Sequence, residues 1–210
     1  MTQVKICGLK TPDAMTAAME GGADFIGLVF HDASPRNLEI EVASYLSSYV
    51  PERIQVCALL VDPDDKKLST ILSTVRVDMI QLHGNETPER VRAIKAGFGK
   101  KVMKAISIST PNDLEQIGLY APHCDWLLLD AKGTSEMPGG TGHSFDWSLL
   151  EGVTIPVPWM LAGGLTPENV ADAIHRLRPD AVDVSSGVES TRGVKDEGKI
   201  RAFLAAAKSA

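Results

Sequence analysis

The stretch VKICGLK puts Cys7 at the end of an apolar run and directly before a glycine. A thiol in that place can be buried filler, a metal ligand, half of a disulfide or a reactive group. Cys7, Cys57 and Cys124 are odd in number and widely spaced, which supports neither a disulfide framework nor a CxxC site. Cys57 inside IQVCALLV and Cys124 before DWLLLD read as core residues, since free cysteine behaves as a small hydrophobe. Cys7 belongs with a different set. Other apolar runs also end in polar residues or glycine: Gln81 and His83, Asp130, Gly163 and Gly164, and Asp183 with Ser185. Period-two alternation puts Lys5 with Cys7, Gln81 with His83, and Leu128 with Asp130 on common strand faces. Any one of these is more often a solvated or satisfied structural group; their joint placement carries the weight.

Two later stretches suit an anion. LAGGLTPENV ends a strand in Gly163-Gly164 and leads into a helix near Thr166-Pro167, while DVSSGVES offers Ser185, Ser186 and Gly187 after the final strand. Glycines let backbone amides approach a ligand, and a short helix after the last strand presents N–H groups to phosphate oxygens. No Walker A sequence is present, so a nucleoside triphosphate is not implied. Arg36 in HDASPRNL can pair with a carboxylate or phosphate, or simply be solvated. The long glycine-rich DAKGTSEMPGGTGHSFDW reads as a lid over a site rather than an ordinary connector.

The elements that must position these residues follow from the apolar pattern. Eight short runs, at 4–7, 25–30, 54–61, 79–83, 102–107, 126–130, 159–163 and 181–185, alternate with helical segments at 12–21, 40–49, 65–74, 87–96, 111–120, 146–150, 167–177 and 197–207. Thr11-Pro12, Thr87-Pro88, Thr110-Pro111 and Thr166-Pro167 each read as an N-cap followed by proline at the first helical position. Continuously apolar strands, each followed by a helix, indicate a parallel sheet buried on both faces. Eight such units predict a closed (β/α)8 TIM barrel, an α/β fold, over residues 1–210 as a single domain. An open doubly wound sheet is the rival, but no GxGxxG follows the first strand. In a barrel the strand C-termini form the catalytic mouth, which is where the polar residues above fall.

Composition excludes other classes. The net charge of −6, with no long basic block, argues against a nucleic-acid or anionic-membrane surface, so any anion must be held locally. The chain shows no secretory leader pattern and no bilayer-length apolar run, and a cytoplasmic protein is expected.

Several motifs in order, KICGL, GADFIGLVF, SPR, IQLHG, LLLD, GGTG with FDW, AGGLTPENV and VDVSSGVE, resemble the phosphoribosylanthranilate isomerases of tryptophan biosynthesis across nearly the whole chain. The resemblance implies an Amadori rearrangement of a phosphorylated aminoaldose, with Cys7 as general base and Asp130 as general acid. It also implies that Arg36 contacts the anthranilate end and that the loops with Gly163, Gly164, Ser185, Ser186 and Gly187 hold phosphate. Gln81, His83 and Asp183 are the remaining candidates for substrate contact. A monomer or homodimer is expected.

The chemistry fits those roles. An aldose-to-ketose rearrangement needs one group to protonate the ribose ring oxygen and another to remove the C2′ proton of the Schiff base. The iminium already withdraws electrons, so the expectation is no cofactor and no metal. Cys7 needs thiolate character, which cations and helix N-termini favour. A metal-dependent pentose-phosphate epimerase would share the barrel, and His31-Asp32 suggests ligands, but the third strand ends LLVDP with no second histidine. A non-catalytic phosphosugar-binding barrel is the other alternative, and it leaves the pairing of Cys7 with Asp130 unexplained.

Overall fold

Residues 2–131 and 146–210 are described in the structure, a computed structural model. Eight parallel strands close on themselves in sequence order: β1 Gln3–Cys7, β2 Phe25–Val29, β3 Gln55–Leu60, β4 Met79–Leu82, β5 Lys101–Ile108, β6 Trp126–Ala131, β7 Trp159–Leu161 and β8 Ala181–Val184. β8 returns to β1 with Gln3 opposite Ala181 and Lys5 opposite Asp183. The helices outside are α1 Pro12–Glu20, α2 Ile40–Ser48, α3 Asp65–Thr74, α4 Pro88–Phe98, α5 Glu115–Tyr120, α6 Val170–Leu177 and α7 Glu197–Ser209. Short 3-10 turns precede and follow α5, and another, Trp147–Leu150, stands where the sixth helix of the repeat belongs.

The alternation within each strand explains why the runs are apolar throughout. One set of residues, including Val4, Ile6, Ile26, Leu28, Ile80 and Leu129, packs outward into the layer beneath the helices. The other set, Phe25, Cys57, Met79, Met103, Leu128, Met160 and Ala181, fills the barrel. Phe25 and Trp126 meet edge to face inside it, with centroids 5.7 Å apart. Both faces are buried and mostly apolar, with Lys5, Gln81, Asp130 and Asp183 among the buried polar exceptions on the strands.

The opposite end of the barrel from the mouth is fastened by a repeated device. Asp24, Asp78, Asp125 and Asp180 stand just ahead of the even-numbered strands and accept the backbone N–H of Val4, Val56, Val102 and Trp159 at 2.8–3.0 Å. Each carboxylate satisfies an amide at the start of the preceding odd-numbered strand.

Three of the four Thr-Pro starts behave as expected. Thr11 and Thr87 accept from Ala14 N and Arg90 N, and Thr110 forms a capping box with Asp113 over a 3-10 turn leading into α5. The fourth differs. Regular α6 begins at Val170 rather than 167, because Asn169 ties the intervening turn: its Oδ1 accepts from Thr166 N at 2.8 Å and its Nδ2 donates to Gly164 O at 3.0 Å. Sequence periodicity also gives no sign of the small antiparallel hairpin after β8, formed by β9 Glu189–Thr191 and β10 Val194–Lys195. Among the described residues no helix is long and apolar enough to cross a membrane.

Candidate active site

Cys7 is the last residue of β1, and Asp130 lies at the same end of β6, three strands away around the ring through β7 and β8. Both are on inward-facing positions, so they look into the mouth from opposing walls. Cys7 is 3% exposed and lies against Gly27 of β2. Burial pushes its thiol above the ordinary value, while the Lys5 and Lys195 charges pull it back and Asp183 adds to the rise. Cys57, deeper in the barrel, is pushed up to about 12 by burial, and Cys124 to about 11. These two are structural, as their sequence context implies.

The Asp130 wall contains Gln81 and His83. Gln81 Nε2 is 3.1 Å from His83 Nδ1, and His83 Nε2 is 3.5 Å from Asp130 Oδ2. All three side chains are buried. Among the described residues Gln81 Oε1 and His83 Nε2 have no hydrogen-bond partner, an arrangement that a bound polar ligand would complete. The loop carrying His83 is fixed from behind by a buried pair: Lys104 donates to Glu86 Oε2 at 2.8 Å and to Gly84 O at 2.7 Å. Glu86 in turn accepts from Gly84 N and Asp62 N.

Arg36, on the loop after β2, is 5% exposed and grips Glu189 with Nε to Oε1 at 2.7 Å and Nη2 to Oε2 at 2.9 Å. Glu189 also accepts from Lys195 Nζ at 2.9 Å and Gly193 N at 2.9 Å. Burial alone would raise the Glu189 carboxyl, but the Arg36 and Lys195 cations and the Gly193 amide hold it down at about 2. Burial and the Arg36 charge depress the Lys195 ammonium despite Glu189. Lys195 also donates to Ser185 O at 2.8 Å, and the Ser185 hydroxyl donates to Cys7 O at 3.2 Å. The hairpin therefore couples the Arg36 loop, the end of β8 and the end of β1.

The two glycine-bearing loops touch each other. Gly163 and Gly164 both have positive φ, +86° and +66°, a backbone that L side chains rarely adopt. Gly187, in the 3-10 turn Ser186–Val188, approaches so closely that a Cβ there would lie 1.9 Å from Leu165 O. Gly187 is thus brought against Leu165, the residue that follows Gly163 and Gly164. Asp183 lies one strand over from Cys7 and accepts from Lys5 Nζ at 2.9 Å in a buried ion pair.

All eleven sequence-selected residues thus cluster at one end of the barrel. The glycine-rich segment read as a lid falls largely at 132–145, outside the described residues. His31 and Asp32 sit in the turn after β2, and no group of three or more His, Cys, Asp or Glu is arranged to hold a metal among the described residues. Sequence reading passed over Lys104, Glu86, Glu189 and Lys195. A lysine inside the apolar run VMKAIS was a usable signal, because a buried ammonium requires a partner. Nothing local marks Glu189 or Lys195, whose roles arise from a hairpin folding back on the site.

The sequence profile described as N-(5′-phosphoribosyl)anthranilate isomerase matches residues 4–206. The chain is 51% identical over 208 residues to the N-(5′-phosphoribosyl)anthranilate isomerase of Paramagnetospirillum magneticum, covering 98% of this chain and 97% of that protein. Its fold is similar to the phosphoribosyl anthranilate isomerase of Thermotoga maritima, with a TM-score of 0.90, 36% identity and 100% of both chains covered. It is also similar to a phosphoribosyl anthranilate isomerase crystallised with reduced 1-(o-carboxyphenylamino)-1-deoxyribulose 5-phosphate, with a TM-score of 0.85, 35% identity and 100% coverage of both chains. With a family profile spanning nearly its whole length and a relative sharing half its residues, this chain belongs to the phosphoribosylanthranilate isomerase family.

Proposed function

We propose that the chain converts N-(5-phosphoribosyl)anthranilate into 1-(2-carboxyphenylamino)-1-deoxyribulose 5-phosphate in tryptophan biosynthesis, with Asp130 as general acid and Cys7 as general base. The observation that carries this reading is the inward placement of a thiol and a carboxyl on opposing walls of one barrel mouth.

Asp130 gives its proton to the ribose ring oxygen as the C1′–O bond breaks, and the anthranilate nitrogen lone pair forms the C1′ iminium. The Cys7 sulfur then removes the C2′ proton. The C–H electron pair moves toward C1′ and neutralises the iminium, giving an enolamine whose tautomerisation yields the 2-ketone. Gln81 Oε1 and His83 Nε2, the latter 3.5 Å from Asp130 Oδ2, are buried without a hydrogen-bond partner among the described residues and meet the polar groups of the opening ribose. Backbone amides of the Gly163-Gly164 and Ser185–Gly187 loops receive the phosphate. Arg36 meets the anthranilate carboxylate, steadied by Glu189.

The test follows substrate loss by anthranilate fluorescence in chelator-treated protein. Single Cys7→Ala and Asp130→Asn variants are expected to lose turnover by about 100-fold or more while remaining folded, in line with removal of a general base or acid. Unchanged turnover in the Cys7→Ala/Asp130→Ala double variant, or activity only after metal addition, overturns the mechanism.

A further inference from the structure

Lys5 has a place in the barrel that the steps above do not use. It lies on the interior face of β1, two residues before Cys7, with no exposed surface at all, and donates to Asp183 Oδ1 at 2.9 Å. Taking an ammonium and a carboxylate out of water is costly, and apolar residues of similar volume fill such a space as well or better. The interior beside Lys5 is apolar: its strand neighbour in register is Phe25, and Cys57 and Met79 follow around the barrel. An ion pair is a poor way to fill that floor, so packing does not account for a charge here.

That charge faces Cys7. Among the described residues, the charged and titratable groups that act on Cys7 include Lys5 on its own strand, Asp183 on β8, Lys195 on β10 and Cys57 on β3. Gly27 of β2 packs against the sulfur and carries no side chain. Lys5 shares the inward face of β1 with Cys7 and its charge pulls the thiol down, while Asp183, in register with Lys5 on β8, raises it by less. Lys195 is also positive but is committed to Glu189 and Ser185.

Given the assignment of Cys7 as general base, on which this rests, we propose that Lys5 is a positioning residue whose ammonium, anchored by Asp183, stabilises the Cys7 thiolate inside a barrel that otherwise disfavours it. Burial disfavours the thiolate, and it is the largest influence on the Cys7 thiol. A fixed cation two residues away on the same strand face offsets part of that penalty without entering the space the substrate needs.

The experiment titrates Cys7 in the full chain by ultraviolet thiolate absorbance, taken as the difference from the same chain carrying Cys7→Ser, which subtracts Cys57 and Cys124. Lys5→Met, Asp183→Asn and the Lys5→Met/Asp183→Asn double variant are compared with the parent. Lys5→Met is expected to cut the thiolate fraction at neutral pH by about tenfold or more, which is one pH unit in the midpoint, and to move the alkaline limb of kcat/KM with it. Asp183→Asn is expected to shift the midpoint the opposite way. The double variant, which replaces the ion pair by two neutral groups, should fall between the parent and Lys5→Met. If Lys5→Met does not fold, the opposite displacement of Asp183→Asn and the double variant from the parent carries the same information. Identical midpoints in all variants, or shifts in one direction only, overturn the proposal, because loosened packing has no reason to change sign with the charge removed. A loss of turnover in Cys7→Ala alongside unmoved midpoints removes Lys5 and leaves the base assignment standing. Ordered midpoints with a fully active Cys7→Ala remove the base assignment and this proposal with it.

Discussion

Arg36 and Glu189 form a fork-to-fork ion pair, 2.7 Å and 2.9 Å across its two hydrogen bonds, that ties the loop after β2 to the hairpin after β8. Neither side chain is solvated, so the pair holds the Arg36 guanidinium in one orientation at the mouth.

Replacing the carboxylate tests what that orientation does. Glu189→Gln leaves two buried cations, Arg36 and Lys195, without their shared counter-charge. Breaking a buried pair from one side costs about 3–5 kcal/mol, so a clear fall in denaturant midpoint is expected. If Arg36 binds the anthranilate carboxylate, the variant that still folds should show KM raised about tenfold or more, with a smaller change in kcat, since binding geometry is lost while the acid and base remain. Steady-state kinetics with the fluorescent substrate separates the two constants. An unchanged KM removes Arg36 from substrate binding.

The same carboxylate gives the stability a pH dependence. The folded-state value of Glu189, about 2, is below the ordinary 4.5, so its contribution is present above about pH 4.5 and disappears as pH falls from there toward 2. Between pH 7 and pH 3 the parent should lose about 2 kcal/mol through this group alone. Glu189→Gln, weaker throughout, should lose correspondingly less over that interval. Urea unfolding at a series of pH values checks it, and parallel curves for the two proteins would refute it.

What was legible in the sequence divides along a physical line. The eight strands could be read because a sheet buried on both faces writes continuous apolar runs, and the mouth residues because the runs stop at Cys7, His83, Asp130 and Ser185. The Thr-Pro starts could be read because capping is local. The delayed start of α6 could not, since it depends on Asn169 reaching back to Thr166 and Gly164. The Arg36–Glu189–Lys195 cluster was invisible for a stronger reason: Arg36 and Glu189 are separated by 153 positions and meet only once the barrel has closed. Lys5 and Lys104 sit between these cases. Their burial was implied by the runs they interrupt, but their partners, Asp183 and Glu86, belong to other strands and loops.

Gly27 offers the sharpest test of how Cys7 is held. A Cβ at this position would lie 2.8 Å from Cys7 Sγ and 3.0 Å from Cys7 Cα. The second contact is with backbone, which a rotamer change cannot relieve. Gly27→Ala must therefore move β1 relative to β2 or turn the thiol away, at a cost of about 1–3 kcal/mol typical of overpacking. Because the strain falls on the sulfur, kcat is expected to drop about tenfold or more, a size known for small displacements of reacting groups. Adding Cys7→Ala should recover part of the stability, since the closest contact is gone, and the non-additivity of the two changes measures their coupling. Gly97 in α4 is the control: nothing lies within 4 Å of a Cβ built there, so Gly97→Ala should leave kcat alone and stabilise the helix by about 0.5–1 kcal/mol. Chemical denaturation and kcat on the three variants decide the matter. Full activity in Gly27→Ala would show that the thiol need not occupy its position against β2 for turnover.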